Sequence, residues 1–455
     1  MKRDTPNTAG QSPVSIAGPG VHLPVLDGLR GLAILLVMLF HQTVMSHVNA
    51  VDNALFNIMG VGWCGVDLFF VLSGFLITGI LLDTRDGPGY FRTFYARRTL
   101  RIFPLYYAVV IAVFVVVPVA AKLTDSSFLN ERIQQFQASG GSPIWYWLYL
   151  QNYSMAWTHS FQHRMIGVVW SLAIEEQFYL VWPAVIYFCR RVSLKWVCFG
   201  LIAAAIALRI WIVARGSHPI VAYILTPTRM DSLAIGALVA IQARERAGLT
   251  AWTRAAPAAS VGGLAGAVAL VVIDGVMGWS TAFDTAPTSA EIRSMNGPLV
   301  QMFGFTLFAI GFAGLLVMCL TSERGSLLHR TFGSSTMRML GKYSYALYLF
   351  HAPIRGAIRD KVFGPVVEGK PPPHIPFPKI LGSETPAQVL FYVVATLATL
   401  ALAWLSWQLF EKHFLKLKKY FEYREPKGDA SSDPPGRMPV VVPIPAAAGA
   451  PQLMR

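Results

Sequence analysis

The sequence predicts an all-α integral membrane protein with about ten transmembrane helices, both termini in the cytoplasm and one segment that dips into the membrane or lies along it. Three observations carry this. Of 455 residues, 54% are hydrophobic. Only 14% are charged, against about 25% in ordinary soluble domains. Apolar runs of about 20 residues, the length that crosses a bilayer as a helix, recur along the chain between short basic loops. A disordered chain, a collagen-like fibre and an average soluble enzyme are excluded by the same composition.

Residues 1–25 are polar and aperiodic and read as a disordered cytoplasmic tail. The first apolar run, roughly 26–46, is followed by Val48-Asn49-Ala50, a small-residue triplet of the kind that signal peptidases cut. That run is too long for a signal core and many more follow, so it reads as an uncleaved span. The further runs lie near 58–82, 102–121, 166–188, 197–214, 222–242, 257–278, 298–320, 340–358 and 387–409. The aromatic stretch 143–157 is too short and, in its second half, too polar to span; it is expected to be re-entrant or interfacial. Residues 26–410 therefore form one membrane domain, and 411–455 a basic, then Pro/Ala-rich, cytoplasmic tail.

Orientation follows from Lys and Arg. With the N-terminus inside, the cytoplasmic segments hold more than twice as many of them as the outer ones, provided 143–157 does not cross. This excess also accounts for the net charge of +14 without a nucleic-acid partner. Cys64, Cys189, Cys198 and Cys319 show no metal-ligand spacing and read as free thiols, so neither a disulfide framework nor a metal site is expected.

Ionisable groups inside spans carry the functional information, since each costs about 2.5–3.5 kcal/mol or more at the bilayer centre. Arg30 and His41 stand eleven residues apart in the first span, which places them on one helix face with His41 about 16 Å further along. An imidazole exchanges a proton near neutrality and a guanidinium grips phosphate; equally, a snorkelling Arg and a His held by a backbone carbonyl would satisfy the pattern. Asp67 in the second span is placed to orient His41 or to pair with another buried donor. Ser73-Gly74 suits close helix packing. Arg98 and Arg101, three residues apart, form a basic pair at the cytoplasmic mouth that fits a polyphosphate or anionic lipid.

Glu175 and Glu176 open the fourth span on different faces, where one of them would hold a sugar hydroxyl or a buried Arg. Arg229 and Asp231, two apart, are expected to pair across to other helices, with Glu175–Arg229 one such partnership. His351 is a second candidate proton carrier, though a His among aromatics more often marks the interface. No P-loop, nucleophile-elbow or metal-ligand spacing occurs.

Six motifs, in order from 26 to 354, resemble the acyltransferase 3 family of integral-membrane acyltransferases, and the resemblance runs through roughly 24–414: LDGLRGLAILLVMLFH (26–41), GVDLFFVLSGFLIT (65–78), FYARRTLRIFP (94–104), WSLAIEEQFYLVWP (170–183), TRMDSLAIGAL (228–238) and KYSYALYLFHAPI (342–354). The resemblance implies that His41 is the catalytic histidine, that Asp67 and Glu175 are site residues, and that Arg30, Arg98 and Arg101 handle the phosphates of an acyl-CoA donor on the cytoplasmic side. It implies acylation, most often from acetyl-CoA, of sugar hydroxyls in envelope polysaccharides or glycolipids at the inner (plasma) membrane. Some members add an SGNH hydrolase-like domain; the form expected here is the stand-alone one, with any second transfer step in a separate protein.

Transfer would use His41 as general base, or an acyl-histidine intermediate. Two rival functions are acylation of a small glycosylated natural product and a proton-coupled transporter or flippase built on Arg30, His41 and Asp67. The absence of repeats and of paired broken spans counts against transport. A non-catalytic scaffold would not need ionisable groups at these depths.

Overall fold

A computed structural model describes residues 23–45, 49–124, 127–138, 140–163, 165–279, 297–323, 325–363 and 378–423. The expected terminal tails, up to residue 22 and beyond residue 423, and Val48 of the candidate cleavage triplet lie outside the described residues. Asn49 of that triplet caps a helix instead, its side-chain oxygen accepting from the Asp52 amide at 2.9 Å.

The described chain is helical. In order it forms α1 (Pro24–Gln42), α2 (Ala50–Met59), α3 (Gly65–Thr84), α4 (Tyr90–Ile111), α5 (Val117–Thr124), α6 (Ser127–Ala138), α7 (Pro143–Trp147), α8 (Gln151–Thr158), α9 (Trp170–Phe188), α10 (Arg191–Ala214), α11 (Pro219–Ile224), α12 (Thr226–Gln242), α13 (Ala256–Val276), α14 (Phe305–Thr321), α15 (Leu327–Phe332), α16 (Ser335–Phe363), α17 (Thr385–Ser406) and α18 (Lys412–Lys416). A π-helical turn, Ala112–Val116, joins α4 to α5, and another, Trp407–Glu411, joins α17 to α18.

Eight helical stretches among the described residues are long and apolar enough to cross a membrane. They coincide with eight of the ten apolar runs read from the sequence. The other two runs form α9 and α16, helices of 19 and 29 residues that are long enough but too polar for the same description. The stretch 143–157 forms α7 and α8, of five and eight residues, with Tyr149 between them at φ 54°; neither is long enough to span. Its exposed Ile144, Trp145, Leu148, Tyr153 and Trp157 have the character of an interfacial belt.

Burial divides the bundle into an inner and an outer layer. The apolar windows of Ala50–Thr84 and Pro219–Gln242 are 83% and 78% buried within the protein, whereas those of α10 and α13 are only 22% buried. A helix apolar all round and buried on one side only presents the rest to lipid. Small residues set the closest approaches. A Cβ on Gly74 of α3 would collide with the Leu233 carbonyl of α12, and one on Gly236 of α12 with the Val71 carbonyl. Gly74 therefore serves packing, as its sequence context suggested, and Ser73 beside it does something else. Likewise Gly28 of α1 lies on the Phe332 carbonyl of α15, Gly31 on the Met337 carbonyl and Gly341 of α16 on the Asp27 carbonyl, while further along His41 meets His351, so α1 and α16 run side by side in the same direction.

Two fully buried ion pairs lock α12 to its neighbours. Arg229 donates to Asp67 Oδ1 of α3 at 2.6 Å, and the Ser232 hydroxyl donates to the same oxygen at 3.0 Å. The Arg229 guanidinium lies 4.1 Å from the centre of the Phe305 ring. Asp231 accepts from Arg209 of α10 at 2.8 Å and from the Thr306 hydroxyl of α14 at 2.5 Å. Arg229 and Asp231 thus pair to different helices, as their two-residue spacing requires.

Removing one partner of a buried pair strands a charge, at a cost of about 3–5 kcal/mol, whereas replacing both with apolar groups is often neutral. Asp67→Leu alone should sharply reduce the thermal stability of the detergent-solubilised protein, and Asp67→Leu with Arg229→Met should recover most of it. A double variant as unstable as the single one would show that the pair is not what holds α3 to α12.

Candidate active site

Three of the sequence's candidate arginines converge. Arg30 of α1 and Arg98 and Arg101 of α4 line one cavity of about 800 Å³, part of it open to the exterior, together with Ser73, Ser171, Glu175, Tyr179, Tyr345 and Tyr348. Arg30 and Arg98 both lie within electrostatic reach of Arg101. Arg30 pairs only loosely with Asp27, at 3.9 Å. Arg98 stacks over the Tyr179 ring at 5.2 Å. On the wall, Tyr179 donates to Glu175 Oε2 at 3.3 Å and bonds the Ser73 hydroxyl. Glu175 therefore stands among Arg30, Arg98 and Tyr179, and the proposed Glu175–Arg229 partnership is not formed; Arg229 holds Asp67 instead.

The segment after α17 closes under this mouth. Arg97 donates to the Phe421 and Lys418 carbonyls at 2.9 and 3.2 Å and lies 4.9 Å from the centre of the Tyr423 ring. Lys418 thereby joins Arg30, Arg97, Arg98 and Arg101 in one electrostatic neighbourhood. Burial raises the Tyr423 phenol above its ordinary value, against the pull of Arg98 and Arg97, so this edge of the mouth is a neutral hydroxyl. Such a concentration of cations, with Asp27, Glu175 and Glu411 as the acids within reach, suits a ligand carrying several negative charges.

Two histidines stand behind one wall of the cavity. Tyr348 and Phe69 line it, with ring centres 6.3 Å apart. Tyr348 donates to the Val168 carbonyl at 2.6 Å and pairs with the Ser171 hydroxyl at 2.6 Å. Its ring lies 5.6 Å from that of His351, one helical turn further along α16. His351 is fully buried, and its Nε2 lies 3.2 Å from Nδ1 of His41.

His41 sits in the last turn of α1, and the chain just beyond is tied down by α17. Gln388 Oε1 accepts from the Val44 and Met45 amides at 2.9 and 3.0 Å, and Thr43 and Tyr392 join hydroxyls at 2.6 Å. His41 Nδ1 also lies 3.0 Å from the Val37 carbonyl. The expected contact between Asp67 and His41 is not formed, because Asp67 is committed to Arg229 and Ser232. The place beside His41 that the sequence offered to Asp67 is taken instead by His351, whose aromatic surroundings in the sequence are more typical of the interface.

Sequence reading missed Ser73, Ser171, Tyr179 and Tyr348 because hydroxyls carry no cost signal comparable to a buried charge. The signal for Tyr179 was its i+4 spacing from Glu175, and for His351 the parallel course of α1 and α16, which no local pattern encodes. Arg355, one turn beyond His351, lies within electrostatic reach of both imidazoles, and its Nε has no hydrogen-bond partner among the described residues. Among the described residues no group of three or more His, Cys, Asp or Glu is placed to hold a metal.

Against known proteins, a family model described as an acyltransferase domain matches residues 23–408. The O-acetyltransferase OatA of Staphylococcus aureus (strain NCTC 8325 / PS 47) is 26% identical over 393 residues, covering 82% of this chain and 57% of that protein. The peptidoglycan O-acetyltransferase OatA of Listeria monocytogenes serovar 1/2a is 28% identical over 353 residues, covering 73% of this chain and 49% of that protein. The putative O-acetyltransferase SACOL0978 of Staphylococcus aureus (strain COL) is 26% identical over 367 residues, with 78% and 54% covered. The chain thus spans about half the length of these curated relatives. No solved structure matches it significantly.

Proposed function

The chain belongs to the acyltransferase 3 family, and from that membership we propose that it is a plasma-membrane O-acyltransferase that moves an acetyl group from acetyl-CoA to a sugar hydroxyl of a cell-surface polysaccharide or glycolipid. It is an acyltransferase with several membrane-spanning helices. The donor, the acceptor and the orientation are the proposal. The observation that carries it is one cavity with a cationic mouth at Arg30, Arg98 and Arg101 and, beyond Tyr348 at its inner end, a histidine pair.

The N-in orientation puts the mouth on the cytoplasmic side, where CoA thioesters are made. Arg30, Arg98 and Arg101 bind the phosphates of the donor; Glu175 and Tyr179 keep Arg98 aimed at them. The pantetheine arm is long and slender, and it spans the interval of about 16 Å between Arg30 and His41 along α1. The acceptor arrives from the outer side, close to the C-terminal end of α1. His41 removes the proton from the sugar hydroxyl as its oxygen attacks the thioester carbonyl. A C–O bond forms, the C–S bond breaks, and the proton passes from His41 to the departing thiolate. Asp67 takes no part in that transfer; paired with Arg229, it positions α3 behind the cavity wall. Similarity to O-acetyltransferases, one of them named for peptidoglycan, supports an acetyl group and a glycan acceptor.

His41→Ala should abolish O-acetylation of envelope glycans, read by proton NMR, with undiminished protein in the membrane; full acetylation in that variant would sink the assignment. Arg98→Ala and Arg101→Ala should each raise the KM for acetyl-CoA in isolated membranes by about tenfold, the effect of losing one charge-assisted hydrogen bond, and leave the acceptor KM near its wild-type value. An equal rise in both constants would assign those arginines to folding instead.

A further inference from the structure

The hydrogen bonds around the two histidines fix their protons. His351 Nδ1 lies 2.7 Å from the Tyr348 carbonyl and 3.3 Å from that of Leu347. A carbonyl only accepts, so Nδ1 of His351 carries the hydrogen, and in a neutral ring its Nε2 is left with a lone pair. That Nε2 faces Nδ1 of His41 at 3.2 Å. His41 Nδ1 is also 3.0 Å from the Val37 carbonyl, which again only accepts, so it too carries a hydrogen, shared between Val37 and His351. The remaining nitrogen of His41, Nε2, then holds the lone pair. It makes no hydrogen bond within the described protein, which leaves it available to a bound molecule.

From this chain of bonds we propose that His351 is a positioning residue for catalysis. It holds His41 in the tautomer and ring orientation in which Nε2 is the base, the role an acidic residue commonly plays beside a catalytic histidine. The structure supplies the reasons for an imidazole in that place. The site is fully enclosed at His351, where an unpaired carboxylate would be costly. A neutral imidazole anchored on its own helix offers an acceptor without a net charge. The Arg355 guanidinium is the charged group within reach of both rings, and the ring of Tyr348 packs against His351 from the cavity side. The pair is created by the parallel packing of α1 on α16, with Gly31 and Gly341 permitting the approach.

This inference rests on His41 acting as the base, so its test compares two replacements of His351 with His41→Ala. His351→Leu fills the buried space with an apolar side chain and removes the acceptor. His351→Gln restores an acceptor oxygen near the same place. In membranes with acetyl-CoA and native glycan acceptor, His351→Leu should lower kcat about a hundredfold or more with little change in either KM, at normal membrane abundance. His351→Gln should recover at least a tenth of wild-type kcat. Wild-type kcat in His351→Leu, with His41→Ala inactive, would overturn the inference and leave the base assignment intact. Equal loss in the Leu and Gln variants at normal abundance would also overturn it. Activity in His41→Ala would instead overturn the base assignment on which it rests.

Discussion

A charge buried among apolar helices must find its counter-charge inside the protein, and that constraint places α12 at the centre of this fold. Arg229 and Asp231 are separated by a single residue, so their side chains leave the helix in different directions. One is answered by Asp67 of α3 and the other by Arg209 of α10, with Thr306 of α14 completing the second cluster. Only one rotation and one axial position of α12 satisfy both. The pairs therefore work as register pins more than as net sources of stability, which is the best-attested use of buried ion pairs. With α3 pinned, Ser73 and Phe69 arrive at the cavity wall, and everything downstream in the site inherits that position.

The inner helices divide the labour between packing and chemistry by residue size. Where glycine lies on a neighbouring carbonyl, the helices touch and nothing else fits. Where α9 and α16 present serine, tyrosine and glutamate, space opens and is lined by groups that hydrogen-bond one another. α9 keeps Ser171, Glu175 and Tyr179 toward the cavity and exposes Leu180, Val181 and Phe188 from its C-terminal half.

The fold was legible in the sequence to the extent that lipid dictates sequence. Apolar runs of the right length mark eight helices plainly, and the two weaker runs became α9 and α16, also helical. The convergence of Arg30, Arg98 and Arg101 follows from their motifs. What could not be read was pairing across helices. Asp67 has equally good partners in His41 and Arg229 when only depth is known, and the choice is made by which helix lies alongside. Similarly, His351 looks like an interfacial aromatic neighbour until α1 and α16 are seen to run parallel, which sets it against His41. Side-chain partnership between distant segments is a property of topology, and single-sequence periodicity carries no such information.

The distance between the basic mouth and the histidine pair is itself a functional constraint. A donor held only at its phosphates would swing its reactive carbonyl through a wide volume; a donor held in a narrow channel delivers that carbonyl to one place. Phe69 and Tyr348 form the cavity wall on the side of His351, and Tyr348 is held through both its hydroxyl partners, Val168 and Ser171. In the proposed reaction, a donor held by its phosphates at the arginines would advance its acyl end past this aromatic wall toward the histidines.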